Sequence, residues 1–255
     1  MSDQILSYQT VGHGPRVVLA LHGWFGDHSS FDQLFEVVDL DNFTWVCPAY
    51  RGYGVSRALE GDYTVDEIAA DCIALADAIG ADEFALVGHS MGGKAIQRVL
   101  ALAPERVRAL IGVAPVPASG LSLDAETRQF FADAVQSREV RAGIIAHSTG
   151  GRLSQRWIDA LVRGSLRTAK EEAFAGYLRS WADEDFHHLI AGNAVRAKVI
   201  VGECDPDINA QLARDTWLTW YENCELETVS GGGHYLPDET PIALATSIQA
   251  FLDAT

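Results

Sequence analysis

The sequence predicts an α/β fold, in which a mostly parallel sheet carries helices on both faces. Apolar runs of strand length alternate with amphipathic helical segments along most of the chain, as expected when helices connect parallel strands. The chain has 255 residues, of which 48% are hydrophobic and 21% charged, enough for one large core. A serine flanked by glycines, Gly88-His89-Ser90-Met91-Gly92, stands where a strand pattern changes to a helical one.

Short apolar runs that end at turn residues predict the strands. They lie at residues 5–11, 16–21, 43–47, 84–87, 109–113, 198–201 and 226–229. Apolar residues at helical spacing predict helices at residues 29–38, 64–79, 92–103 and 241–252. The helix at 64–79 has the clearest ends, because Thr64 and Glu67 form a capping-box pair and Gly80 suits the position after the last turn.

The alternation stops between residues 117 and 192, where no strand pattern occurs. The sequence pattern predicts four helices there, at residues 122–136, 138–148, 152–163 and 168–182. We therefore expect a core made of residues 1–116 and 193–255, with residues 117–192 inserted between two strands as a helical cap.

Charge and cysteine content exclude several classes of protein. The formal net charge is −16, which argues against binding to nucleic acids or anionic membranes. The four cysteines have no C-x-x-C spacing, so we expect no disulfides and a reducing compartment. The N-terminus carries no signal-peptide pattern, and no apolar run is long enough to cross a membrane. The expectation is a soluble cytoplasmic protein.

The serine motif predicts a strained turn that presents a nucleophile. A serine between two glycines at a strand-to-helix junction is a nucleophile elbow, in which the flanking positions have almost no room for side chains. Gly88 and Gly92 meet that requirement, and Gly93 would let the helix pack closely. Ser90 would then stand at the carboxyl edge of the sheet, beside the N-terminus of a helix.

A serine hydroxyl needs a general base, and the base needs a group that fixes its orientation. His234 follows the last predicted strand, and Asp205 follows the strand before it. Both positions lie beyond the carboxyl ends of strands, where ligands bind in open α/β sheets. Glu203 and Asp207 flank Asp205 and are alternatives for the acid.

Taken in order, these motifs resemble the α/β-hydrolase-fold superfamily over nearly the whole chain. The matching segments are His22-Gly23-Trp24, Gly88-His89-Ser90-Met91-Gly92, Asp205-Pro206, Gly233-His234 and the turn Arg51-Gly52-Tyr53-Gly54-Val55-Ser56. The segment before residue 16 is too short for the two strands usual in this family, so the first strand is expected to be missing or truncated.

The resemblance implies a role for each matching residue. Ser90 would be the nucleophile, His234 the base, and Asp205 the orienting acid, favoured over its neighbours by the Asp-Pro step. The backbone N–H groups of Trp24 and Met91 would form the oxyanion hole. Epoxide hydrolases and haloalkane dehalogenases of this fold carry an aspartate where Ser90 stands, so their chemistry is disfavoured.

The predicted activity is hydrolysis of a small carboxylic ester through an acyl-enzyme, with no cofactor. A lactonase or a carbon–carbon bond hydrolase of the same fold is the alternative, and a non-enzymatic small-molecule receptor is the alternative from another class. Phe25 and Tyr235 are expected to contact substrate because they adjoin the motifs, and Trp157 and Trp181 are expected to do so from the cap.

Several other residues have mainly structural interpretations. His22 is expected to hydrogen-bond within the oxyanion loop, the turn His22-Gly23-Trp24 after the second predicted strand. His89 is expected to pack or hydrogen-bond beside the nucleophile. The adjacent His187 and His188 would point in different directions on a helix, so no metal site is predicted. Aromatic residues at 217, 220 and 221 have helical spacing, which predicts packing against the sheet, with a homodimer contact as the alternative.

Overall fold

A seven-stranded sheet forms the centre of the protein in the computed structural model, which describes residues 5–254. The strands are β1 (Tyr8–Gly12), β2 (Arg16–Leu21), β3 (Phe43–Pro48), β4 (Phe84–His89), β5 (Val107–Val113), β6 (Asn193–Gly202) and β7 (Tyr221–Val229). Their order is β1-β3-β2-β4-β5-β6-β7. Strand β1 is antiparallel to β3, and every other neighbouring pair is parallel.

Helices connect the strands and cover both faces of the sheet. They are α1 (Val65–Ala78), α2 (Met91–Leu102), α3 (Ala125–Asp133), α4 (Arg138–Ser148), α5 (Gln155–Thr168), α6 (Glu171–Asp183), α7 (Ala210–Asp215), α8 (Trp217–Trp220), α9 (Leu236–Glu239) and α10 (Pro241–Asp253). Short 3-10 helices span His28–Leu34, Gly54–Ser56, Pro104–Arg106 and His187–Leu189. The predicted α/β class with a mostly parallel sheet is thus confirmed.

The two faces of the sheet bury separate apolar clusters. Along β2, Val18 and Ala20 belong to one cluster, and Leu19 and Leu21 to the other, because successive side chains of a strand point to opposite faces. One cluster includes α1 and α2, and the other packs the 3-10 helix His28–Leu34 and α10 on the opposite face. Burial on both faces explains why β2 reads as a continuous apolar run.

Several element boundaries differ from the prediction. Strands β6 and β7 begin five residues earlier than predicted, because exposed and half-exposed residues interrupt the apolar pattern in their first halves. Residues 28–34 form a 3-10 helix. Trp217 and Trp220 lie on a short helix, as expected. The prediction that Tyr221 is helical is wrong, because Tyr221 is the first residue of β7 and pairs with Asn193.

Only one of the two hydrogen bonds of the predicted capping box forms at the start of helix α1. The Thr64 side chain accepts a hydrogen bond from the Glu67 backbone N–H at 3.1 Å. The Glu67 carboxylate instead accepts from the backbone N–H groups of Asp62 and Tyr63, at 3.1 and 2.9 Å. Gly80 follows the helix with φ +71°, a conformation that glycine adopts without strain.

Four helices, α3 to α6, lie between β5 and β6, and a buried lysine joins the last of them to the core. Lys94 on α2 is fully buried. Its Nζ donates to the backbone oxygens of Trp181 at 3.0 Å, Ser180 at 3.4 Å, and Glu184. These three acceptors match the three N–H bonds of an ammonium group. Burial lowers the pKa of Lys94 to about 8.

Within residues 5–254, no helix is long and apolar enough to cross a membrane.

Candidate active site

Ser90 occupies a strained turn between β4 and α2. Its backbone has φ 56° and ψ −116°, outside the regions that most residues adopt. The neighbouring glycines leave no space for a side chain. A Cβ atom on Gly88 would lie 2.3 Å from the oxygen of Gly92, and one on Gly92 would lie 2.1 Å from the oxygen of Leu21. The tight elbow expected from the glycine spacing is therefore present.

Replacing Gly92 with alanine is expected to lower the free energy of unfolding by about 2–4 kcal/mol, because the methyl group would collide with backbone atoms. Gly164, inside α5, is a matched control, since a Cβ there meets nothing within 4 Å. Gly164→Ala should raise the free energy of unfolding by about 0.5–1 kcal/mol. Urea unfolding monitored by circular dichroism measures both. Equal effects of the two substitutions would contradict the close packing at the elbow.

The side chains of Ser90, His234 and Asp205 form one hydrogen-bonded chain. His234 Nε2 lies 2.9 Å from Ser90 Oγ, and His234 Nδ1 lies 2.7 Å from Asp205 Oδ2. The three residues come from the turns after β4, β7 and β6. With its Nδ1–H donated to the carboxylate, His234 presents an unprotonated Nε2 to the serine hydroxyl, as a general base requires.

Asp205 is buried, and its second oxygen is also hydrogen-bonded. Oδ1 accepts from the backbone N–H groups of Asp207 and Ile208, both at 3.0 Å. Burial by itself would raise the pKa of Asp205, but the neighbouring His234 and the hydrogen bonds outweigh it and hold the pKa below its usual value. A carboxylate held in this way stays ionised and fixes the ring of His234.

The two alternative acids point elsewhere. Asp207 is exposed and its carboxylate lies 3.1 Å from His147 on α4. Glu203 accepts hydrogen bonds from Ser230 Oγ and from the backbone N–H of Gly231, at 2.8 and 2.9 Å. Of the three acids, Asp205 is the one hydrogen-bonded to His234.

Two backbone segments that adjoin Ser90 carry the residues expected to form the oxyanion hole. Met91 is the first residue of α2, so its N–H has no acceptor within the helix. The loop after β2 packs against the elbow, since a Cβ on Gly23 would lie 3.1 Å from Ser90 Cβ. Trp24, the next residue in that loop, is buried.

The indole of Trp24 connects this loop to α6. Its ring stacks on Phe174, with centroids 3.9 Å apart, and its Nε1 donates to the Phe174 oxygen at 2.8 Å. The Phe174 ring also contacts the buried Arg141 guanidinium, 3.8 Å from the ring centroid, and the edge of the Phe25 ring. From the core side, Tyr53 Oη donates to the Trp24 oxygen at 2.9 Å. These contacts fix the position of the loop from both sides.

Two further histidines support the site without belonging to the chain of three. His22 Nδ1 donates to the oxygen of Gly23 at 2.9 Å, and His89 Nε2 donates to the oxygen of His234 at 2.8 Å. Burial lowers the pKa of His22 to about 4 and that of His89 to about 3, so both rings are neutral near pH 7. Their hydrogen bonds match the structural roles expected from the sequence.

A cavity of about 700 Å³ opens over Ser90. It lies between the turns that follow the strands and the helices α3 to α6. Of the residues predicted to contact substrate, Phe25, Trp181 and Tyr235 line it, as does Trp24 from the loop after β2. Trp157 does not line the cavity, so the prediction for this residue is wrong. Its ring packs edge-on against Tyr235, with ring centroids 5.8 Å apart.

Several lining residues were not singled out from the sequence. They are the apolar side chains of Leu121, Leu123, Phe130, Phe131, Ile144 and Leu161, and the carboxylate of Asp238. The apolar residues lie within 117–192, but apolar character alone does not tell a cavity wall from a helix–helix contact. Asp238 follows His234 by four residues in the sequence, and this short separation was the one signal that could have placed Asp238 at the site.

Among the described residues, no group of three or more His, Cys, Asp or Glu side chains is placed to hold a metal ion. His187 and His188 lie on a short 3-10 helix with their rings nearly perpendicular. The His187 ring is hydrogen-bonded to Asp185 at 2.6 Å and stacks on Trp220.

Known proteins share this sequence pattern and this fold. The chain is 24% identical to the esterase YbfF of Escherichia coli over 94% of both chains. It is 34% identical to a 2-heptyl-3-hydroxy-4(1H)-quinolone dioxygenase of Mycobacteroides abscessus, over 42% of this chain and only 40% of that relative. The solved structure of an esterase from Exiguobacterium antarcticum superposes with a TM-score of 0.87 at 18% identity, over 97% of this chain and 95% of the other.

A sequence profile of the alpha/beta hydrolase fold matches residues 16–241, which covers every strand from β2 to β7 and all three residues of the hydrogen-bonded chain. The protein therefore belongs to the α/β-hydrolase-fold family.

Proposed function

We propose that this protein is a serine hydrolase that cleaves small carboxylic esters. The observation that carries the proposal is the chain Ser90–His234–Asp205, with hydrogen bonds of 2.9 and 2.7 Å, at a cavity of about 700 Å³. The similarity to an esterase over nearly the full length supports the same reaction class.

In this proposal, Ser90 Oγ attacks the ester carbonyl while His234 Nε2 takes its proton. The backbone N–H groups of Trp24 and Met91 stabilise the oxyanion, a contribution that typically amounts to about 10²–10³ in rate for each donor. His234 then protonates the departing alcohol. In the second half of the reaction it activates a water molecule, which releases the acid and restores Ser90. Asp205 holds the His234 ring in the required tautomer throughout.

We propose that residues 117–192 act as a cap on a core formed by residues 1–116 and 193–255. This segment supplies about half of the apolar side chains that line the cavity. They exclude water from the reacting ester and select the shape of the acyl group. The stacking of Trp24 on Phe174 links the cap to the oxyanion loop.

Lactone hydrolysis is the closest alternative, because a lactone is an intramolecular ester and requires the same three residues. Carbon–carbon bond hydrolysis also fits the fold, which hosts several reactions. A non-enzymatic receptor would bind its ligand and turn it over negligibly. Since one relative is a dioxygenase, oxygen uptake should be followed alongside ester cleavage.

The proposal is tested with p-nitrophenyl esters from acetyl to decanoyl. We expect turnover across the shorter chains and a decline once the acyl chain exceeds the space in the cavity. Turnover must occur without added metal and without oxygen uptake. A folded protein that hydrolyses none of these esters but opens lactones would favour the first alternative. One that binds ligands without turnover would favour a receptor.

A further inference from the structure

The charges that line the cavity are unbalanced. Its lining contains three carboxylates, from Asp205, Asp207 and Asp238, and no arginine or lysine among the described residues. Asp205 is hydrogen-bonded to His234, and Asp207 is paired with His147 at 3.1 Å. Asp238 is therefore the one cavity carboxylate without a basic partner among residues 5–254.

Asp238 lies on the wall where helix α9 meets the 3-10 helix His28–Leu34. Gly26 and Ser30 line the same wall. The side chain accepts one hydrogen bond, from the neutral amide Nε2 of Gln33 at 3.2 Å. The adjacent Glu239 has its own partners, Arg152 and the backbone N–H groups of Gly233 and Tyr235. None of these partners compensates the charge of Asp238.

A partly buried carboxylate without a cation is unfavourable in its ionised form. Burial, with a further contribution from the charge of Glu239, raises the pKa of Asp238 to about 6. The group is still ionised at neutral pH. A cationic group in the cavity would relieve this unfavourable interaction, whereas an anionic group would add repulsion.

We propose that Asp238 makes the cavity selective for esters that carry a cationic group, with its carboxylate binding that group while the ester reacts at Ser90. The inference rests on the proposed esterase function and adds the substrate class. It assigns Asp238 a role in specificity that is separate from the chemistry at Ser90, His234 and Asp205.

The test compares two esters of the same shape: the butyrate ester of choline, which is permanently cationic, and 3,3-dimethylbutyl butyrate, its uncharged isostere. Proton release in a pH-stat gives kcat/KM for each. We expect Asp238→Asn to lower the cation-to-neutral ratio of kcat/KM by about fivefold to tenfold, with the neutral ester changed less than twofold. Asp82→Asn, an equal charge change at an exposed residue before β4, should leave the ratio unchanged.

The ratio in the unmodified protein should also depend on pH. Because Asp238 becomes protonated as the pH falls through about 6, the preference for the cationic ester should be largest above pH 7 and mostly lost at pH 5. In Asp238→Asn the ratio should not vary with pH.

Binding separates this inference from the proposed function. In the Ser90→Ala background, calorimetry with the choline ester should show a Kd that rises at least about fivefold when Asp238→Asn is added. This measurement needs no turnover. Unchanged binding and an unchanged ratio would overturn the role of Asp238 even if the esterase activity is present. Intact selectivity in binding without hydrolysis of either ester would overturn the esterase function alone.

Discussion

Ser90→Ala is expected to lower kcat/KM for p-nitrophenyl butyrate by at least about 10⁴-fold. The reaction requires an oxygen nucleophile 2.9 Å from His234 Nε2, and alanine removes it while leaving the rest of the site in place. The oxyanion donors and the cavity would remain, so weak residual activity above the uncatalysed rate is expected. The measurement is initial-rate kinetics with active-site titration.

The variant should unfold at the same urea concentration as the unmodified protein, since only one hydroxyl is lost at a half-buried position. Ser119→Ala is a suitable control, because this hydroxyl is hydrogen-bonded to Gly120 and lies outside the cavity lining. It should keep kcat/KM within twofold. Hydrolysis by Ser90→Ala within tenfold of the unmodified protein would exclude Ser90 as the nucleophile.

Asp205→Asn is expected to lower kcat by about 10³–10⁴-fold with little change in the fold. An amide at this position can donate a hydrogen bond to His234 Nδ1. The proton of the ring would then sit on Nε2, which is the wrong nitrogen for accepting the serine proton. The lost negative charge would also no longer stabilise the protonated ring during the reaction. Steady-state kinetics over the ester series measures the effect.

Asp207→Asn is the matched comparison, because this residue lies two positions away and is equally cavity-lining. Its carboxylate is exposed and paired with His147, so we expect less than a fivefold change in kcat. A larger loss with Asp207→Asn than with Asp205→Asn would transfer the role of the acid to Asp207.

Features encoded by residues close together in the chain were predicted well. The tight turn at Ser90 and the helix between Thr64 and Gly80 depend on steric contacts and hydrogen bonds between residues that are close together in the sequence. Asp205 and His234 were chosen as candidates because each follows a strand and the carboxyl ends of parallel strands meet at one edge of the sheet. The structure brings their side chains together at Ser90.

Features that depend on tertiary packing were predicted poorly. Tyr221 has helical spacing to Trp217, yet pairing with β6 takes it into a strand. Trp157 was predicted to line the cavity because it is an aromatic residue of the cap, but its ring packs against Tyr235, and Tyr235 lines the cavity while Trp157 does not. Arg141 and Lys94 are charged residues on helices, and the sequence pattern gave no sign that both are buried.

The buried Lys94 restricts how the segment above the active site can be exchanged. Its ammonium donates hydrogen bonds to the carbonyl groups at the end of α6, so these carbonyls take the place of water for a buried charge on the helix that follows Ser90. A chimaera that receives this segment from another hydrolase must supply an equivalent helix end, or else replace Lys94 with an apolar residue. If residues 117–192 select the substrate as proposed, a graft that changes the substrate range must either carry that junction with it or be combined with the replacement of Lys94.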